Sequence, residues 1–84
     1  MDDKSTFGRI GPMEDICRIA GRNVKAAREA LKFNQEELAH RAKIDRTYVS
    51  GVERGLRNPS IKVLARLAKA LKTTPAALLS EIPE

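Results

Sequence analysis

The chain is poor in the residues from which enzymes and metal sites are built. It has one cysteine in 84 residues, which excludes an internal disulfide and a cysteine-rich metal site. Cys17 reads as a small apolar residue on a helix. Histidine also occurs once, and His40 has no cysteine or carboxylate at ligand spacing. No Ser–His–Asp set, glycine-rich phosphate loop or carboxylate pair stands out, so neither catalysis, a metal nor a cofactor is expected. Tryptophan is absent and only 4% of residues are aromatic. The core must then be Leu, Ile, Val and Ala packed between helices. No apolar run approaches the length that crosses a bilayer. The opening MDDKSTFGRIG has no apolar signal core, so the expected location is the cytoplasm, with no membrane partner. Strand alternation, internal repeats, low-complexity tracts and long linkers are all missing. This leaves one small all-α domain of modest buried area, whose stability a partner could raise.

Charge is plentiful and unevenly placed. The formal net charge is +5, yet residues 16–72 carry 14 basic and 5 acidic groups, while both ends are acidic. A compact basic body suits a polyanion, because each phosphate met by Lys or Arg releases condensed counterions.

The stretch Asn34–Asn58, NQEELAHRAKIDRTYVSGVERGLRN, organises the rest. Asn34 is a good helix cap, and Glu37 three positions on completes a capping box. Leu38, Ala39 and Ala42 form an apolar stripe. Asp45 caps a second helix whose Val49 and Val52 face the core. The four residues between leave room only for a sharp corner, the geometry of a helix-turn-helix. Arg46, Thr47, Ser50 and Arg54 lie off the Val49/Val52 stripe, with Tyr48 at its border. These side chains suit base edges and phosphates. A helix face selected for solubility alone would be richer in Glu, Lys and Ala.

Around this unit the spacing predicts three more helices. Residues 1–11 read as a flexible arm, and 12–84 as one domain. Pro12 suits a first helical position. Ile16, Ile19, Ala20, Val24, Ala27 and Leu31 then make one amphipathic stripe. Gly21 in its middle either admits a close neighbour or marks a later helix start. Helix 1 should stop near Leu31, helix 2 run from Gln35 to about Lys43, and helix 3 from Arg46 to about Arg54. Phe33 takes the staple position against Leu38. Gly55 ends helix 3 and Pro59 forbids its continuation. Ser60 caps helix 4, with Ile61, Leu64, Leu67, Ala68 and Leu71 inward. Lys62, Arg66, Lys69 and Lys72 face out, and the helix dipole explains them. Thr74 and Pro75 open a short last helix. Leu78, Leu79 and Ile82 cannot all turn inward from so short a segment, so they are the expected dimer contact.

Together, Arg28, Gln35 to Ala39, Glu53-Arg54-Gly55 and Asn58-Pro59 resemble the linked motifs of the phage-repressor and Cro helix-turn-helix family. Within it, Asp45 to Ile61 is most similar to the small controller proteins of restriction–modification systems. The resemblance spans about Ala20 to Leu79. It implies a compact five-helix bundle with the helix-turn-helix in helices 2 and 3, and helix 3 in the major groove. On that basis Arg46, Thr47, Tyr48 and Gly51 take base-contacting positions. Relatives often carry a long polar side chain at the place of Gly51, so readout leans on the other three. Gln35, Ser50, Arg54 and Arg57 take phosphate-contacting positions, with Tyr48 a further candidate. Arg28 and Glu53 match a structural ion pair. Lys32 stands where relatives have glycine, so it is left-handed or helix 1 ends differently.

The expected function is sequence-specific binding of double-stranded DNA by a homodimeric transcriptional regulator on a palindromic operator. No sensor domain is evident, so no small-molecule effector is expected. The alternatives are a protein-interaction or antitoxin-type module, carried by the apolar tail, and RNA binding. Against RNA stands the shortage of aromatic side chains to stack on unpaired bases.

Overall fold

The computed structural model describes residues 11–81, with side chains from Ile16 onward. Five helices and no strand occur among these residues: α1 Gly11–Ala30, α2 Gln35–Ala42, α3 Arg46–Glu53, α4 Ile61–Ala70 and α5 Pro75–Leu78. All but Gly11 of the expected arm at residues 1–11 lies outside the described residues. Gly11 itself opens α1.

Side-chain caps start α2 to α5, as the sequence indicated. Asn34 Oδ1 accepts from the Glu37 N–H at 2.8 Å, Asp45 accepts from the Thr47 N–H at 3.2 Å, and Ser60 Oγ accepts from the Val63 N–H at 3.1 Å. Thr74 Oγ1 accepts from the Ala77 N–H at 3.1 Å. The capping box closes on one side only. Glu37 turns its carboxylate to Arg41 Nε, 2.6 Å away, and the Arg41 guanidinium lies 4.4 Å from the Phe33 ring centre.

Four helix ends close alike. Phe33, Ile44, Leu56 and Thr73 donate backbone N–H bonds of 2.9–3.1 Å to the carbonyls of Arg28, Ala39, Gly51 and Ala68, five residues back. The residue before each donor is left-handed: Lys32, Lys43, Gly55 and Lys72. At Gly55 a Cβ would also lie 3.1 Å from Arg18 Cγ and 3.3 Å from Arg18 Cα, so glycine avoids a tight contact as well as the left-handed strain. At the other three ends lysine holds the left-handed conformation, at about 1–2 kcal/mol each. Lys32 is thus left-handed, the first of the two expected readings.

The stripes meet in one core. Val24, Leu38, Val49 and Leu67 are fully buried, with Val52, Leu64, Ala68, Leu71 and Leu78 around them. α1 packs on α3 and α5, α2 on α3 and α4, and α4 on α5. Gly21 lies inside an unbroken α1, and a Cβ there would sit 2.2 Å from the Val52 carbonyl oxygen. It admits a close neighbour, the C-terminal end of α3.

Two expectations fail for tertiary reasons. Leu78, assigned to a dimer contact, is 2% exposed. Asn23 Nδ2 donates to the carbonyls of Leu78 and Ser80, both at 2.8 Å, and draws this segment onto α1. Ile61, assigned to the core stripe of α4, is 84% exposed. The core begins one turn later, at buried Leu64, and no described residue covers Ile61. Leu79 is 40% exposed, and Ile82 lies outside the described residues.

Candidate nucleic-acid interface

The corner between α2 and α3 is held from two sides. Asp45 caps α3 through the Thr47 N–H and also accepts from the Thr47 hydroxyl. These two bonds, aided by the charge of Arg46, hold the Asp45 carboxyl below its ordinary pKa against the opposing effect of desolvation. Arg66 reaches from α4, its Nε 3.2 Å from the Ala42 oxygen and its Nη2 2.9 Å from the Lys43 oxygen. It satisfies carbonyls that a helix end leaves without partners, and so fixes the corner against the body of the domain.

Behind α3 runs a chain of four polar side chains. Arg28 Nε and Nη2 grip the two oxygens of Glu53 at 2.6 and 3.0 Å, while Nη1 donates to the Phe33 oxygen at 2.9 Å. The expected ion pair is therefore present and bidentate, with side chains 11% and 3% exposed. The Glu53 hydrogen bond raises the Arg28 pKa above its ordinary value; burial opposes it and the charges of Glu53 and Glu29 add to it. Gln35 Nε2 donates to Glu53 Oε1 at 3.0 Å, and Gln35 Oε1 accepts from Arg46 Nη1 at 3.3 Å. Gln35 is thus tied at both ends, which orients an exposed arginine from a buried pair.

This arrangement sorts the charges. Glu53 is the one carboxylate within α3, and it is turned inward and compensated. Arg46, Arg54 and Arg57 are exposed, and none belongs to an ion pair among the described residues. Thr47 is exposed, with its hydroxyl held by Asp45, and Ser50 is half-buried. Among the described residues, the outward side of α3 and its loop therefore presents donors and cations, with the carboxylate of Asp45 at its edge.

Gly51 does not lie open on that surface. It is buried, and a Cβ built on it would lie 2.6 Å from Arg57 Cγ. Arg57 comes from the loop after α3 and lies across this gap, its guanidinium 5.3 Å from the Tyr48 ring centre. A base contact at Gly51 would require Arg57 to leave. The physical reason is reciprocal: glycine leaves the space, and the loop arginine fills it.

Of the expected contact residues, Arg46, Thr47, Arg54 and Arg57 are exposed on α3 and the loop after it, and Gln35, Tyr48 and Ser50 are half-buried. The structure does not bring Leu78 to any surface. Sequence reasoning missed the roles of Arg66 and Asn23. Neither leaves a local signal, because their partners are 23 and 24, or 55 and 57, residues away in the chain.

Comparison with known proteins gives a consistent picture. The family model described as "Helix-turn-helix" matches residues 24–78. The chain is 41% identical over 66 residues to the control protein C.SmaI of Serratia marcescens, covering 79% of each. It is 36% identical over 61 residues to the immunity repressor of Bacillus phage phi105, but spans only 42% of that longer protein. Among solved structures it is similar to the restriction-modification controller protein C.AhdI of Aeromonas hydrophila. That match has a TM-score of 0.72 at 40% identity and covers 74% of this chain and 94% of the other.

Proposed function

The chain belongs to the helix-turn-helix family, and from that premise we propose that it is a sequence-specific regulator of transcription that binds double-stranded DNA. It acts in the cytoplasm as a homodimer on a palindromic operator, as a binding protein without catalysis. Its similarity to control proteins supports the narrower role of a restriction–modification controller.

One observation carries the reading: α3 turns its carboxylate into a buried pair and leaves Arg46, Arg54 and Arg57 uncompensated outside. In the proposed complex α3 enters the major groove. Arg46 is held by Gln35 and takes a guanine edge, with Thr47 and Tyr48 beside it. Arg57 supplies across Gly51 the cationic reach that the glycine lacks. The first N–H groups of α2, Gln35, Ser50 and Arg54 meet phosphates. A second copy places its own α3 about 34 Å away. Of the expected contact residues, Leu79 and Ile82 remain for that dimer, and Leu56, 67% exposed, and Ile61 are apolar surface it can cover.

The test is selection from a randomised duplex pool. A recovered palindrome with half-sites about 10 bp apart supports the reading. Arg46→Ala should then relax the preference at one base pair of each half-site by about 1–3 kcal/mol. Salt-sensitive bulk binding without enrichment, or a monomer on the recovered site, overturns it.

A further inference from the structure

A second charged surface lies between the C-terminal halves of α2 and α4. It is a cleft of about 730 Å³, and no residue of α3 lines it. Five of its lining residues are permanent cations, and one, Glu37, is an acid. Two of the cations are already engaged. Arg41 pairs with Glu37 and covers the Phe33 ring, and Arg66 is bonded to the carbonyls of Ala42 and Lys43. That leaves Lys43, Lys69 and Lys72, with His40 beside them, and no ion pair among the described residues includes these lysines.

The helix dipole accounts for a cation near a helix end, but not for this set. Arg66 already engages the last α2 carbonyls. Lys43 and Lys72 both sit at left-handed positions, φ 60° and 61°, where glycine is the residue of lowest strain. Two ammonium groups are thus kept, against backbone preference, on the rim of one cleft. Between them the wall is apolar, from buried Ala42 and half-buried Ala70.

We propose that this cleft is a docking site for an acidic segment of a protein partner, one that alternates carboxylates with small apolar side chains. The apolar wall between flexible point charges fits such a segment. Arg41 already holds Glu37 through its Nε, and Arg66 holds two carbonyls through Nε and Nη2, so the three lysines are the cations left for a partner's carboxylates. No residue of α3 lines the cleft, and on this proposal the partner and the duplex bind together.

The experiment uses the full chain labelled with nitrogen-15 and a short synthetic peptide of alternating glutamate and alanine. The expected result is a saturable titration at low ionic strength that moves the amide signals of residues 40–43 and 66–72 and spares those of 46–57. Lys69→Gln combined with Lys43→Asn and Lys72→Asn, where asparagine tolerates the left-handed backbone, should weaken peptide binding about tenfold. The same variant should keep duplex affinity within about twofold of the parent. If the variant disturbs amide signals throughout the chain, Lys69→Gln alone is used, with a weakening of about threefold expected. Three results overturn the proposal: peptide-induced shifts on α3, no weakening in the variants, or a loss of duplex affinity equal to the loss of peptide affinity. The last would make the cleft a phosphate surface.

Discussion

The buried Arg28–Glu53 pair sets the sharpest demand on stability. Glu53→Ala leaves the Arg28 guanidinium, 11% exposed, with only the Phe33 oxygen and the fringe charge of Glu29. Arg28→Met strands Glu53 at 3% exposure with only the Gln35 amide, and also removes the donor to Phe33. Breaking a buried pair by removing one partner costs about 3–5 kcal/mol. Arg28→Met should be the costlier change, because its stranded charge is the more deeply buried. Set against roughly 0.05–0.15 kcal/mol per residue of total stability, either single change removes a large share. The midpoint of thermal unfolding should fall by at least about 12 °C, at about 4–8 °C per kcal/mol for a domain of this size. Replacing both by methionine leaves no stranded charge, and the double variant should lie within about 2 kcal/mol of the parent. Urea denaturation followed by helical circular dichroism on the parent, Arg28→Met, Glu53→Met and the double methionine variant gives the four corners of the cycle, provided the slopes agree. A Glu53→Ala cost below about 1 kcal/mol, or single losses that simply add in the double variant, would refute the claim that the two charges form one buried unit.

Gly21→Ala should destabilise by about 1–3 kcal/mol although alanine is the better helix former, because the new Cβ meets the Val52 and Glu53 carbonyl oxygens of α3; a denaturant midpoint at or above that of the parent would contradict the close approach. Gly51→Ala should leave stability within about 1 kcal/mol, since the exposed Arg57 can swing away, but should remove the Arg57–Tyr48 contact and match Arg57→Ala in operator affinity. Retention of full affinity in Gly51→Ala but not in Arg57→Ala would show that the glycine is not the seat of the arginine. Asp45 titrates below its ordinary value, so its capping contribution is complete above that value and is lost as pH falls through the lower, folded one. In a carbon-13 carboxyl titration, Thr47→Val should move the Asp45 midpoint upward, because the hydroxyl bond to Asp45 is the leading cause of the depression.

What the chain declares locally came through without its neighbours. The caps at Asn34, Asp45, Ser60 and Thr74 needed only a short polar side chain and the N–H groups two or three residues on. The stripes of α1, α2 and α3 needed only helical periodicity, and the linked motifs from Arg28 to Pro59 sufficed for the corner, its family and the Arg28–Glu53 pair. Tertiary structure decided matters that no local pattern encodes. Ile61 continues the stripe of α4 but lies one turn ahead of Leu64, where that stripe first meets the core, so periodicity placed it inside and packing left it out. Leu78 lies in a segment too short to have a reliable face, and Asn23, 55 residues earlier, turns it inward. At Gly51 the sequence could not show that Arg57 lies across the glycine, because which side chain fills the space a glycine leaves depends on the path of the following loop. Gln35 could be assigned to phosphate from its motif, but its tie to Glu53 and Arg46 exists only once three helices have packed. Sequence determined which helices form and which residues belong to the outer face of α3. The fold determined which of those residues are held, which are covered and which remain available, because each outcome depends on contacts between residues far apart in the chain.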